Sequence, residues 1–276
     1  MKLRYVMLEI NGQCSGGCTS CGMCLPHGYR SNRMMTKDEI ATLRSTLKDL
    51  GVEYVTFAGY GNPADHPDFA ATLFDYNQDF ETTVTCRVQD VKKCGYPYIG
   101  GINVSVQTIE EIKQIIHLEN VPRFAKLRPH IVVTEDIFTR LSTMLWVLGA
   151  WHERWEKVSI AVPVALCDDV GHRKAIREAN RIRNQISSLV YTTLDDMPKD
   201  VADKFSFTDY GSRKGVCQWP GRGVLINANM DVLPCCNLPC VEPMGNLKIQ
   251  SLKEIVSGEP HGEYAEYCER CPDLGT

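Results

Sequence analysis

No stretch of the chain approaches the roughly 18 consecutive apolar residues that a membrane-spanning helix needs. The opening MKLRYVMLEINGQC carries Glu9 and a strand-like pattern where a signal peptide would run unbroken and apolar. Both absences point to a protein that stays in the cytosol and has no membrane partner. Charge is also in short supply. Thirty Lys and Arg against 34 Asp and Glu leave a net charge of −4, which argues against non-specific duplex binding except through a local basic face. Low complexity is missing too: 43% hydrophobic and 23% charged residues exclude disorder, collagen-like repeats and a simple coiled coil. At 276 residues the chain is long enough for one large or two modest domains.

Cysteine is the exception, with thirteen in the chain. In a cytosolic protein they are expected to serve as metal ligands rather than disulfides. Cys14, Cys18, Cys21 and Cys24 crowd one loop near the start; Cys217, Cys235, Cys236, Cys240, Cys268 and Cys271 crowd the last sixty residues; Cys86, Cys94 and Cys167 lie between. Two thiol clusters at opposite ends suggest two metal centres joined by a scaffold.

The middle reads as alternating strand and helix. Strand patterns at residues 4–10, 53–58, 82–88, 101–106, 130–133, 157–164 and 188–192 alternate with helical ones at 67–76, 109–118, 136–148 and 172–186. The first helix opens on the capping box Thr36-Lys-Asp-Glu39, carries Ile40, Leu43 and Leu47 at helical spacing and stops at Gly51. About six βα units in a row predict an α/β fold with a parallel sheet, open or curled into a partial barrel. Both forms place ligands at the carboxyl ends of the strands, where the first cysteine cluster and the turn Gly59 to Pro63 fall.

Cys14-Ser-Gly-Gly-Cys18-Thr-Ser-Cys21 puts three thiolates on a loop of small residues, in which Gly16 and Gly17 let the backbone wrap a cubane iron–sulfur cluster. The fourth iron is left open, and the amino group and carboxylate of S-adenosylmethionine can chelate it with the sulfonium facing the cluster. This spacing after an N-terminal strand resembles the radical SAM superfamily, although Ser20 stands where the family often has an aromatic residue. A rival reading takes Cys18, Cys21 and Cys24 as a ferredoxin run, but Leu25 and Pro26 follow Cys24 directly and no second copy of the run exists.

The resemblance extends to Gly59-Tyr60-Gly61-Asn62-Pro63, at the place of a Gly-Gly-Glu-Pro-like turn that binds the methionyl amino group, with Asn62 in the acidic position. It also implies a role in binding S-adenosylmethionine for Ser105 and Gln107 at the end of the fourth strand. Tyr60, Asp65 and Arg87, near the expected pocket, are the best candidates for substrate contact. His27, His66 and His172 lie near strand-end loops and could move protons, although a lone histidine is more often structural. Trp146, Trp151 and Trp155 read as core or domain-contact residues.

Near the C-terminus, residues 224–227 and 232–234 flank a short polar turn, so a hairpin could bring Cys217 and Cys235 together, and Cys268 and Cys271 would complete four ligands. The layout resembles the auxiliary-cluster domains of radical SAM enzymes, the SPASM type and its shorter relative called twitch, with Met230 where the pattern usually has Gly. Four thiolates would equally suit tetrahedral zinc. The expected division is a radical SAM core at residues 1–205, a partial (β/α)6 barrel, and a small cluster-binding domain of hairpin and helix at 206–276.

The resemblance implies an enzyme with two [4Fe-4S] clusters that takes electrons from a low-potential donor such as flavodoxin or ferredoxin. It would cleave S-adenosylmethionine to a 5′-deoxyadenosyl radical and remove a substrate hydrogen atom, oxidising or rearranging the substrate with help from the auxiliary cluster. Fewer than fifteen residues precede Cys14, which leans the expectation to a small molecule or nucleoside-type substrate over a peptide. Alternatives are a peptide maturase, a base-modifying enzyme using the basic stretch 173–183 against a nucleic acid, and a two-cluster electron-transfer protein.

Overall fold

β1 (Tyr5–Leu8) is followed, beyond the first cysteine loop, by α1 (Lys37–Asp49), whose start and stop are set by local chemistry. Thr36 accepts from the Glu39 amide while the Glu39 carboxylate takes the Thr36 amide, and Gly51 at φ +70° ends the helix. The computed structural model describes residues 3–13, 32–59, 61–94, 100–118, 126–162, 181–209, 222–235 and 242–257.

The alternation continues through β2 (Tyr54–Phe57), a 3₁₀ turn (Pro63–Asp65), α2 (Phe69–Asn77), β3 (Glu81–Arg87), a 3₁₀ segment (Val88–Cys94) and β4 (Gly101–Ser105). α3 (Ile109–Ile116) carries a second capping box, Thr108 with Glu111, and leads to β5 (Leu127–Val132). The expected helix over 136–148 is two helices, α4 (Glu135–Phe138) and α5 (Leu141–Ala150). Between them the Thr139 hydroxyl bonds back to the Asp136 carbonyl at 3.1 Å and competes with the helical ladder. β6 (Val158–Val162) comes next.

The strand expected at 188–192 does not form. That stretch lies inside α6 (Arg183–Asp195), where Ile186, Val190 and Thr193 are buried at helical spacing and Thr193 bonds Ser142 of α5. The 3.6-residue period of its buried side chains overrides the β preference of single residues. The strand comes later, after α7 (Lys199–Ala202), as β7 (Phe205–Asp209). β8 (Gly223–Ile226), β9 (Asp231–Leu233), β10 (Gly245–Asn246) and α8 (Leu252–Ser257) complete the described elements.

The strands form one sheet in the order β10-β9-β8-β1-β2-β3-β4-β5-β6-β7. From β8 to β7 every neighbouring pair is parallel, and β9 and β10 are antiparallel additions at the β8 edge. This is an α/β partial barrel with a C-terminal hairpin. Residues on both sides of position 205 feed the same sheet, β7 at one edge and β8 beside β1. One sheet face, including Leu8, Phe57, Val84, Ile102, Ile131 and Ile160, is buried in a single core with the helices. Trp155 belongs to that core and donates to the Leu148 carbonyl at 2.9 Å. Trp146 and Trp151, by contrast, are each 45% exposed and not core residues. Among the described residues no helix is long and apolar enough to cross a membrane.

Candidate functional site

The described residues on either side of the first cysteine segment meet at one place. Met35 donates to the Ile10 carbonyl and Gly12 to the Arg33 carbonyl, each at 2.9 Å, so the two ends of the excursion from residue 14 to 31 are pinned side by side. The turn after β2 closes on the same segment. The Asn62 amide donates to the Gln13 carbonyl at 3.0 Å, Asn11 Nδ2 donates to the Asn62 carbonyl at 2.9 Å, and the Gln13 amide donates to Asn11 Oδ1 at 2.9 Å.

Two glycines permit this approach. A Cβ on Gly61 would lie 1.8 Å from the Asn11 carbonyl oxygen, and Gly59, at φ +146°, has the Glu9 side chain where its Cβ would be. The turn Gly59, Gly61, Asn62, Pro63 is therefore built onto the residues immediately before Cys14. Cys14, Cys18, Cys21, Cys24 and Tyr60 themselves lie outside the described residues, as do His27, His172, Cys167 and the basic stretch through residue 180.

Behind the turn sits a buried charge network. Asn62 Nδ2 donates to Asp90 Oδ2 at 3.0 Å; Arg87 Nε donates to the same oxygen at 2.9 Å and reaches Asp65 Oδ1 at 2.8 Å; Lys93 lies 2.9 Å from Asp90 Oδ1. Burial raises the Asp90 carboxyl, but the Lys93 ammonium and Arg87 guanidinium outweigh it and hold it below the usual aspartate range. Asp65 and Arg87, expected to meet substrate, thus face each other and the turn. Asn62 is 5% exposed, and its buried Oδ1 has no hydrogen-bond partner among the described residues. A buried acceptor left without a donor costs about 1–3 kcal/mol.

The second face of the sheet is polar and half-buried. Strand alternation and register line up Thr56, Thr83 and Thr85, Asn103 and Ser105, His130, then Ser159, with Ser105 paired to His130 and His130 to Ser159. Burial holds the His130 imidazole below the ordinary histidine value. Sequence reasoning missed His130, although its place in the alternating Leu127-Arg-Pro-His-Ile-Val132 was a readable signal. His66 plays a structural part: Nδ1 accepts from the Asp68 amide at 3.1 Å and Nε2 lies 2.8 Å from the Met35 carbonyl, which fixes the donor at Nε2. Ser105 ends β4 on the polar face, whereas the Gln107 amide is taken by the Glu111 carboxylate at 2.7 Å as part of the α3 cap.

The C-terminal hairpin docks on the same corner. β8 pairs with β1 in register from Tyr5 with Gly223 to Leu8 with Ile226, and Glu9 donates its amide to the Ile226 carbonyl at 2.9 Å. The hairpin turn is then bracketed. The Ala228 amide donates to Glu9 Oε1 at 3.3 Å, and Arg33, itself paired with Glu39, donates to the Ala228 carbonyl. Asn227 Oδ1 accepts from the amides of Asn229 and Asp231, both at 2.9 Å, and Met230 completes the turn at φ +72°. Cys235 is buried just past β9; Cys217, Cys236, Cys240, Cys268 and Cys271 lie outside the described residues. Cys86 and Cys94 are buried with sulfurs 3.9 Å apart, and among the described residues no three metal-ligating side chains converge.

Residues 217–272, which include this hairpin, match the SPASM iron–sulfur cluster-binding domain. The chain has the radical SAM fold with a C-terminal SPASM segment. The fold is similar to that of Streptococcus suis SuiB, at 18% identity and a TM-score of 0.65 over 98% of this chain and 71% of that one. SuiB bound to S-adenosylmethionine matches at 18% identity and 0.63 over 94% and 67% of the two chains. SuiB bound to the precursor peptide SuiA matches at 19% and 0.64 over 99% and 71%. No curated protein sequence matches the chain. The SPASM segment begins before β8, so its hairpin extends the sheet that carries the turn at Gly59.

Proposed function

We propose that the protein is a radical SAM enzyme: with an electron from a low-potential donor such as flavodoxin or ferredoxin, it cleaves S-adenosylmethionine to methionine and a 5′-deoxyadenosyl radical that removes a hydrogen atom from substrate. The observation that carries this reading is the lock between the turn at Gly59 to Pro63 and residues 11–13, which sets an unsatisfied buried acceptor on Asn62 next to the start of the Cys14 loop. Cys14, Cys18 and Cys21 would hold the cluster that opens one iron to the cofactor. Gly59, Tyr60, Gly61 and Asn62 would meet its methionyl end, and Ser105 and Gln107 would bind its ribose or carboxylate. Cys217, Cys235, Cys268 and Cys271 would hold an auxiliary [4Fe-4S] cluster in the SPASM segment, which would supply an acceptor for an electron from a substrate radical and so complete an oxidation.

The polar sheet face from Thr83 to Ser159 is the candidate substrate surface. Its threonine, serine, asparagine and histidine groups suit hydroxyl or amide partners, as found on small polyols, nucleosides and peptide backbone alike. The likeness to SuiB with its precursor peptide favours a peptide as the second reading over nucleic acid.

Anaerobic reconstitution is expected to load roughly eight irons per chain, half of them lost in the Cys14→Ala/Cys18→Ala/Cys21→Ala variant. Reduced protein should release 5′-deoxyadenosine from S-adenosylmethionine, and deuterium from the true substrate, drawn from labelled alcohols, nucleosides and peptides, should appear in it. Loaded, reduced protein that neither binds nor cleaves S-adenosylmethionine would leave the electron-transfer reading in its place.

A further inference from the structure

The Asn62 carboxamide has two ends, and Asp90 decides which way each one faces. With Nδ2 donating to Asp90 Oδ2 at 3.0 Å, turning the amide over would set two oxygens against each other at that distance. A carboxylate at position 90 therefore admits a single orientation, in which Oδ1 is turned away from Asp90, buried and without a partner among the described residues. Asp90 is itself held fast. It is 2% exposed, Lys93 occupies one oxygen, and Arg87 shares the other with Asn62. Both carboxylate oxygens have partners in the protein, and among the described residues the one contact Asp90 makes with the turn is the bond from Asn62.

Resting on the reading of this turn as the methionyl site, we propose that Asp90 is a positioning residue for S-adenosylmethionine. It fixes the Asn62 carboxamide so that Oδ1 accepts from the amino N–H of the methionyl group. The amide at 62 and the carboxylate at 90 together then take the place of an acidic side chain in the turn. The arrangement favours ligands that carry an amino group beside the adenosyl sulfur, because only they satisfy the orphaned oxygen. In Asp90→Asn, Arg87 and Lys93 compete for the one remaining oxygen, and where Lys93 keeps it the N–H end faces Asn62 and turns that carboxamide over, so a single orientation of Asn62 is no longer enforced.

The test is equilibrium binding to the reconstituted, unreduced protein, with S-adenosylmethionine and with 5′-methylthioadenosine, which keeps the adenosine and sulfur but has no amino acid. Asp90→Asn should weaken S-adenosylmethionine binding by about tenfold or more while 5′-methylthioadenosine binds within about twofold of wild type. The double variant Asn62→Asp/Asp90→Asn keeps one N–H to oxygen bond between the two positions and an acceptor at 62, and should regain most of the lost affinity. Equal weakening of both ligands, or no recovery in the double variant, would show that Asp90 is merely structural.

Should Asp90→Asn fail to fold, Asn62→Ala leaves Asp90 with Arg87 and Lys93 and must show the same ligand-selective loss. Unchanged S-adenosylmethionine binding in Asn62→Ala overturns the inference alone. Failure of the wild-type protein to bind S-adenosylmethionine overturns the reading of the turn and this inference with it.

Discussion

Replacing Gly61 by Ala puts a methyl group 1.8 Å from the Asn11 carbonyl oxygen and 2.6 Å from that of Gln13. Neither neighbour is the far end of a flexible side chain. Both are backbone, held by the Asn62 amide and the Asn11 side chain, so the turn and residues 11–13 must part by more than an ångström. Overpacking of this kind costs about 1–3 kcal/mol. Gly51→Ala supplies a control of similar size. It meets no atom of the described residues within 4 Å but forces a non-glycine residue to φ +70°, a strain of about 1–2 kcal/mol, at the far end of α1. The two variants should therefore lower the melting temperature by comparable amounts, a few degrees each for a chain of this size, in differential scanning calorimetry of the same preparation. They should part company at the site. Gly61→Ala should lose S-adenosylmethionine affinity and part of its iron after reconstitution, whereas Gly51→Ala keeps both. Equal ligand affinity and iron content in the two variants would refute the claim that the lock between the turn and residues 11–13 serves the cofactor site.

Cys86→Ser and Cys94→Ser each place a hydroxyl among buried apolar groups and should cost roughly 1–3 kcal/mol in denaturant unfolding, with iron content intact, because neither thiol lies in the two cysteine-rich segments. Met230→Gly relieves a strain of about 1–2 kcal/mol, yet it gives up a buried methionine worth about 1.5–3 kcal/mol and adds backbone entropy to the unfolded chain, so the variant should melt lower than wild type. His130 has a folded pKa below its ordinary value of about 6.5, so the unfolded chain binds its proton first. Its favourable contribution is complete above that pH and is lost as pH falls towards the folded pKa. Stability measured from pH 7 to pH 5 should fall in the wild type and fall less in His130→Gln.

Local chemistry was legible in the sequence, because the interacting groups are close along the chain. Thr36 and Glu39 are three residues apart, and the capping box they predict is present; the same spacing joins Thr108 to Glu111. Strand alternation located β1 to β6 to within a few residues, since a half-buried strand must alternate. It failed at residues 188–192, where a helical stripe of Ile186, Val190 and Thr193 carried the same apolar residues to the core, and it passed over β7. The cysteine spacing and the glycine turn sufficed for the resemblance to radical SAM proteins, as thiolates and glycines at fixed intervals are readable without coordinates.

Tertiary structure decided what joins distant residues. Asn62 and Asp90 are 28 positions apart, and nothing in either segment says that an amide in one will be oriented by a carboxylate in the other. Asp65 and Arg87, taken singly, looked available for substrate; only folding turned them into partners. Ala228 meets Glu9 across 219 positions because β8 chose the edge of β1, and that edge is open only once the order of all the parallel strands is set. The polar face through His130 has the same origin: periodicity says that alternate residues share a face, while the register between strands and the packing of the helices decide which face is buried in the core and which is left polar and half-buried.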